Sequence, residues 1–268
     1  MPDLKSICTC FPGGKHKALT MSFDDGRIED RQLVEIFNQY GIKGTFNVNS
    51  GVHTNERIEL RECTTLYRGH EIACHTVTHP SISLSPMDQV VQQVLEDRRA
   101  LETMVGHPVR GLAYPNGSYS QKIIELLPAL GICYARTIKD TRSFAMPQNF
   151  MEWDPTCHFR MGLLELGEQF VSLKKTNRLY LMYVWGHSYE LPERDGWAIM
   201  DSFCRMAGGK EDIWYATNIE IVDYMEAVSR LQFTVDGGRV YNPNALPCWV
   251  KVGQNVIDIP AGRMVQLS

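Results

Sequence analysis

Between residues 17 and 231 the chain switches repeatedly between two hydrophobic periods. In "KALTMSFDDG", Leu19, Met21 and Phe23 alternate with Thr20, Ser22 and Asp24, the period of two that marks a strand, and Gly26 ends the run. "EDRQLVEIFNQYG" then puts Leu33, Ile36, Phe37 and Tyr40 at helical spacing, with Gly41 placed as the C-terminal stop. The unit recurs with "KGTFNVNS" as a second strand and "GHEIACH" as a third, followed by a helix that opens at Ser85-Pro86-Met87-Asp88 and carries Val91, Val94 and Leu101. "VRGLAYPNG" begins a fourth unit, whose helix "QKIIELLPALG" is bent or shortened in its last turn by Pro128. "ICYARTI" is the fifth strand. The pattern next predicts a helix over about 163–173, the strand "LYLMYVWGH", a helix over about 197–206, the strand "DIWYA" and a helix from Thr217, where Thr217 and Glu220 form a capping box.

Seven strands alternating with helices predict a parallel α/β architecture, and alternation alone suits either a (β/α) barrel or a doubly wound sheet. Beyond Leu231 the texture changes to short β-rich runs with an Asp-Gly turn and prolines and no helical period. The expected organisation is therefore a main α/β unit over 1–231 and a small C-terminal β appendage over 232–268.

Composition narrows the function classes. The 268 residues suffice for a sizeable core without covalent staples. With 27 basic against 31 acidic residues, the formal charge of −4 lacks the basic excess that a phosphate backbone demands, so nucleic acid is not an expected partner. "MPDLKSICTCFPGGKHK" has no apolar core of signal-peptide length, and no later run approaches the roughly 20 apolar residues of a span. A cytoplasmic protein without a membrane partner is expected, and a homo-oligomer is left open. The eight cysteines are scattered and read as reduced, mostly buried thiols; Cys8 and Cys10 lack the second pair of a structural zinc pattern.

In parallel α/β folds the C-terminal strand ends share one face, where ligand and catalytic groups gather. Asp24 and Asp25 end the first strand, His75 ends the third with His79 in the following loop, the turn Pro115-Asn116-Gly117 ends the fourth, and His187 ends "YLMYVWGH". Asp-Gly by itself is an ordinary turn, and two histidines four apart are ordinarily a surface pair. Together, one carboxylate and two imidazoles make a three-ligand set for a catalytic zinc or similar ion. Of two adjacent aspartates, one can ligate while the other handles a proton. Cys74 alternates away from His75 and reads as packing.

"MSFDDG", "HTVTH", "AYPNG" and the late strand-end His187 resemble the ordered motifs of the polysaccharide deacetylase family, which includes chitooligosaccharide deacetylase-like carbohydrate esterases. The likeness covers most of residues 15–230. It implies a distorted (β/α)7 barrel, with Asp24 as catalytic base, Asp25, His75 and His79 as ligands of a divalent metal, and His187 as general acid. Zinc is the foremost candidate ion, and this donor set also accepts cobalt, nickel or manganese.

The third motif departs from the family's Arg-x-Pro-aromatic-Gly, because Ala113 and Asn116 stand where the arginine and the aromatic would be. Family members use that arginine to position the base. Arg136 on the fifth strand is the candidate replacement, with Arg110 behind it. The backbone N–H of Asn116 can still serve an oxyanion, since it does not depend on the side chain. The long connection over 139–160 falls on the same rim; its Trp153 and Asp154 either line a substrate site or, for Trp153, plug the barrel mouth.

The implied reaction is metal-dependent removal of an acetyl group from an N-acetylated amino sugar or oligosaccharide. Two alternatives stand beside it. A same-fold enzyme for a small amide, imide or ureide is suggested by the altered third motif and the missing export signal. A non-catalytic, metal-dependent carbohydrate binder is disfavoured by the presence of both Asp24 and His187, since a binder needs neither base nor acid.

Overall fold

The computed structural model describes residues 6–267. The elements in chain order are β1 (Ile7–Cys10), β2 (Lys17–Asp24), α1 (Asp30–Tyr40), β3 (Gly44–Val48), α2 (Leu60–Leu66), β4 (Glu71–Cys74), α3 (Met87–Val105), β5 (Gly111–Ala113), α4 (Gln121–Leu126), β6 (Tyr134–Arg136), β7 (Cys157–His158), α5 (Leu163–Ser172), β8 (Tyr180–His187), α6 (Gly196–Ala207), β9 (Ile213–Tyr215), α7 (Asn218–Ser229), β10 (Gln232–Phe233), β11 (Arg239–Tyr241), β12 (Cys248–Val252), β13 (Asn255–Ile259) and β14 (Met264–Gln266).

The main sheet is wholly parallel and runs β6-β5-β4-β3-β2-β8-β7, with β9 beside the start of β2. β2 is buried along its whole length, as expected of a parallel strand covered on both faces. It pairs with β8 from Lys17↔Tyr180 to Asp24↔His187, so the register sets Asp24 and His187 side by side at one rim. Phe23, Phe37 and Phe46 pack between β2, β3 and α1 in the core beneath that rim.

The 139–160 connection joins the two edges of the sheet. Trp153 N–H donates to Ala135 O (3.0 Å) and Thr137 N–H to Trp153 O (3.1 Å), while Thr156 N–H donates to Tyr183 O (2.8 Å) and Phe159 N–H to Trp185 O (2.9 Å). The segment is thus bonded to β6 on one side and β8 on the other. This curls the sheet into the expected barrel-like form, but with a different seventh stave. "DIWYA" does form β9, yet it lies against Lys17–Leu19, and the closing strand is β7, whose two residues are too few to show any period.

Local signals account for most helix limits. Gly41 caps α1 at φ 66°, in the left-handed region glycine enters without a Cβ penalty. Pro128 ends α4 at Leu126 and hands over to a 3-10 turn, Leu127–Leu130. The α7 capping box is complete, with Thr217 N–H donating to Glu220 Oε2 at 2.8 Å. The short helix α2 packs on the core through Leu60, Cys63 and Leu66, but its seven residues are too few for that spacing to announce a helix.

Beyond α7 the chain forms two three-stranded antiparallel sheets, β1-β12-β13 and β10-β11-β14, the first of which takes its outer strand from the N-terminal segment. All eight cysteines are free. Among the described residues, no helix is long and apolar enough to cross a membrane.

Candidate active site

Asp25, His75 and His79 present ligand atoms that all lie within 4.8 Å of one another. His75 Nε2 is 4.0 Å, and His79 Nε2 3.9 Å, from Asp25 Oδ1. Their backbones are unusual. Asp25 (φ 82°), Thr76 (φ 64°), His79 (φ 59°) and Asn116 (φ 57°) all sit in the left-handed region at this one rim. Non-glycine residues enter that region at a cost, and such strain concentrates where side chains must be aimed.

Hydrogen bonding fixes the aim of His75. Its Nδ1 lies 2.8 Å from the carbonyl of Ala113, which can only accept, so Nδ1 carries the proton and the Nε2 lone pair faces the cluster. Burial, opposed by Asp24 and Asp25, lowers its pKa to about 4, which keeps the ring neutral. Nε2 is buried with no hydrogen-bond partner. Asp25 Oδ1 is also without a hydrogen bond, although Arg57 Nη1 lies 3.2 Å away as an ion pair. An unsatisfied buried polar atom costs about 1–3 kcal/mol. Two such acceptors aimed at one point, with His79 beside them, fit a divalent cation.

Asp24 stands next to this cluster, its Oδ2 3.8 Å from His75 Nε2 and 3.9 Å from His187 Nε2. Asn47 Nδ2 donates to its Oδ1 at 2.8 Å, and the fully buried Arg136 donates from Nη2 to its Oδ2. Burial alone would push the Asp24 carboxyl up. Arg136, with His75 and His187, overcomes this and holds it well below the usual carboxylate range. Arg136 is itself clamped, its guanidinium 4.6 Å from the centre of the Trp185 ring and donating to Thr137 O at 3.1 Å. His187 shows the opposite balance. Burial lowers its pKa, but the Glu190 hydrogen bond and the charges of Asp24 and Asp25 raise it above the ordinary value. A depressed carboxylate and a raised imidazole 3.9 Å apart are the polarisation expected of a base and an acid.

A polysaccharide deacetylase family model matches residues 12–135, which carry Asp24, Asp25, His75, His79 and the Asn116 turn. This stretch is similar to the polysaccharide deacetylase family. A chitooligosaccharide deacetylase of Sinorhizobium fredii is 28% identical over 47% of this chain and 60% of its own length. The peptidoglycan-N-acetylglucosamine deacetylase PgdA of Listeria monocytogenes is 25% identical over 41% of this chain and 24% of its own. The chain thus spans less than two thirds of the curated relatives it matches. In fold, a polysaccharide deacetylase structure from Mycobacterium smegmatis superposes with a TM-score of 0.63 over 84% of this chain and 96% of that one, at 16% identity.

Arg136 and His187 lie outside the stretch matched to the polysaccharide deacetylase family, and the fold brings both to it. Arg110 does not arrive: it pairs with Asp223 on α7 through two bonds of 2.8 and 2.6 Å, on the far side of β5 from the rim. Trp153 is core, edge-on to Tyr134, Phe150 and Tyr183, and lines no site. Asp154 accepts from Thr137 Oγ1 and pairs with Lys139 at 3.4 Å. Asn116 is exposed at the turn after β5, its side chain donating to Ser81 Oγ at 3.2 Å.

Several positioning residues escape a linear reading of the sequence. Asp97 on α3 is buried and accepts from Ser50 N–H (2.8 Å) and His75 N–H (3.0 Å), tying the β3 and β4 ends together; burial raises its pKa to about 6. In sequence it sits in the charged run Glu96-Asp97-Arg98-Arg99, yet it is in helical phase with the buried Val90, Val94 and Leu101, and that phase was the available signal. Asn49 Nδ2 donates to the carbonyls of His75 and Thr76, and Arg57 donates to Asp25 O and to Asn49 Oδ1. These contacts hold the positive-φ loops in place.

Proposed function

We propose that this protein is a metal-dependent deacetylase that hydrolyses the acetamide of an N-acetylated amino sugar or oligosaccharide, releasing acetate and a free amine. The observation that carries the reading is the placement of Asp24 Oδ2 3.9 Å from His187 Nε2 and 3.8 Å from His75 Nε2, beside the orphaned acceptors of Asp25 and His75. Asp25, His75 and His79 would hold the cation, zinc foremost. Bound there, it would supply Lewis-acid polarisation of the scissile carbonyl and acidify a water molecule.

The chain's own groups then divide the work. Asp24, kept charged by Arg136, accepts the proton of the attacking water. The water oxygen bonds to the carbonyl carbon, and the Asn116 N–H is assigned to the oxyanion that develops. His187 Nε2 gives its proton to the amine as the carbon–nitrogen bond breaks. Arg136 substitutes for the arginine missing at Ala113, reaching the same carboxylate from the next strand over. The division into a barrel unit and a C-terminal β appendage belongs to the same proposal, with the appendage remote from the chemistry.

The test is acetate release from N-acetylglucosamine oligomers, run beside ammonia release from small amides and ureides. Acetate release that Asp24→Asn abolishes supports the reading. Ammonia release alone moves the assignment to the small-amide class, which the altered third motif favours. Metal-dependent oligosaccharide binding with neither product would make the protein a binder.

A further inference from the structure

His158, His187 and Glu190 form a second cluster whose ligand atoms lie within 4.8 Å of one another. His187 Nδ1 is 3.1 Å from Glu190 Oε1, and His158 Nε2 is 3.3 Å from Glu190 Oε2. His158 Nδ1 accepts from the Arg160 N–H at 3.3 Å, so its proton sits on Nε2 and points to the carboxylate. Arg160 Nε lies 3.2 Å from the same Oε2, and its Nη2 donates to the Glu190 carbonyl.

Two or three histidine and carboxylate ligands would ordinarily suggest a second cation. Here both carboxylate oxygens already face N–H groups, and a guanidinium sits against one of them, which repels a cation. The arrangement suits a carboxylate held on one oxygen by charge contacts with His158 and Arg160, at and just beyond β7, so that its other oxygen can hold an imidazole. A carboxylate can only accept from His187 Nδ1, which leaves Nε2 facing Asp24 at 3.9 Å.

We propose that Glu190 is a positioning residue for the general acid, fixing Nδ1 of His187 so that Nε2 meets the reaction centre, and that His158 and Arg160 are the anchors that hold Glu190 in place. The proposal rests on the deacetylase reading for the role of His187. The groups facing His187 are Asp24 and Asp25 from β2 and its turn, Glu190 and Tyr189 from its own turn, and His158 from β7 with Arg160 behind Glu190. Arg27 reaches the far face of Tyr189.

The experiment compares wild type, Glu190→Gln, His158→Phe and His158→Gln by pH–rate profile and by NMR titration of the His187 ring. In Glu190→Gln, kcat should fall about 100-fold at unchanged KM, the low end of what a placed general acid contributes. The His187 titration should move down by about one unit, the scale of one charge-assisted hydrogen bond. His158→Phe, which deletes the N–H donor, should lower kcat by less, and His158→Gln, whose amide can donate, should recover most of that loss. An unmoved His187 titration in Glu190→Gln, or no difference between the two His158 variants, overturns the proposal. So does a second divalent ion per chain that both Glu190→Gln and His158→Phe lose. If wild type releases no acetate, the deacetylase reading fails, while the NMR titration still decides the positioning claim.

Discussion

Replacing Arg136 with leucine tests the electrostatic argument at its centre. Asp24 and Arg136 are both buried, and Arg136 is the leading cause among those holding the Asp24 carboxyl down against its burial. Removing one partner of a buried pair costs about 3–5 kcal/mol because the other charge is left uncompensated. For a chain of this size that corresponds to a Tm lower by about 6–20 °C. The sign with pH is also fixed. In wild type the folded carboxyl lies below its unfolded value, so Asp24 contributes stability that is present above the ordinary carboxylate range and lost as pH falls through the folded value. In Arg136→Leu burial prevails and the folded value rises above the unfolded one, so that contribution is intact at acid pH and lost as pH increases. The Tm gap between the two proteins should therefore widen from about pH 4 to about pH 8, measured by calorimetry with a chelator present. Asp24→Asn/Arg136→Leu should be more stable than Arg136→Leu alone near neutral pH. A gap that does not change with pH, or a double variant no better than the single one, would refute the reasoning.

Further expectations concern the metal ligands and their supports. His75→Ala and His79→Ala should each lose bound metal by elemental analysis, whereas Asp24→Asn should keep it and lose turnover; metal retained in both histidine variants would remove Asp25, His75 and His79 as a ligand set. Asp97→Asn presents an amide N–H to one of two backbone donors, so it should cost about 1–3 kcal/mol and weaken metal affinity about 10- to 100-fold, read by thermal melts and competition with a chromophoric chelator. In Gly186→Ala the new Cβ would overlap Phe159 and press towards His158. A loss of about 1–3 kcal/mol is expected, together with a lower kcat as the β7–β8 end shifts, and an unchanged Tm would show that the ring can absorb the methyl.

The architecture was legible because most staves and helices carry their own hydrophobic period: Leu19, Met21 and Phe23 announce β2, and the Thr217–Glu220 box announces the start of α7. The polar residues that end β2, β4 and β8 were equally legible, since a carboxylate or imidazole closing an apolar run stands out from its neighbours. β7 was not, because two residues hold no period and its place depends on partners in β8, some 27 positions away in register. Arg136 was visible as a candidate, but its choice over Arg110 was made by position along the strands: Arg136 ends β6 at the rim and reaches Asp24, whereas Arg110 precedes β5 and pairs with Asp223. The sequence by itself determined which groups were available and which strand ends they closed. Only the tertiary structure decided which of them share a charge, because burial and proximity set that, and both come from residues far apart along the chain. Asp97 and Glu190 show the difference: each is an ordinary acidic residue in the linear text, and the fold makes each a fixed acceptor, Asp97 by burying it against two backbone N–H groups and Glu190 by bringing His187 to it.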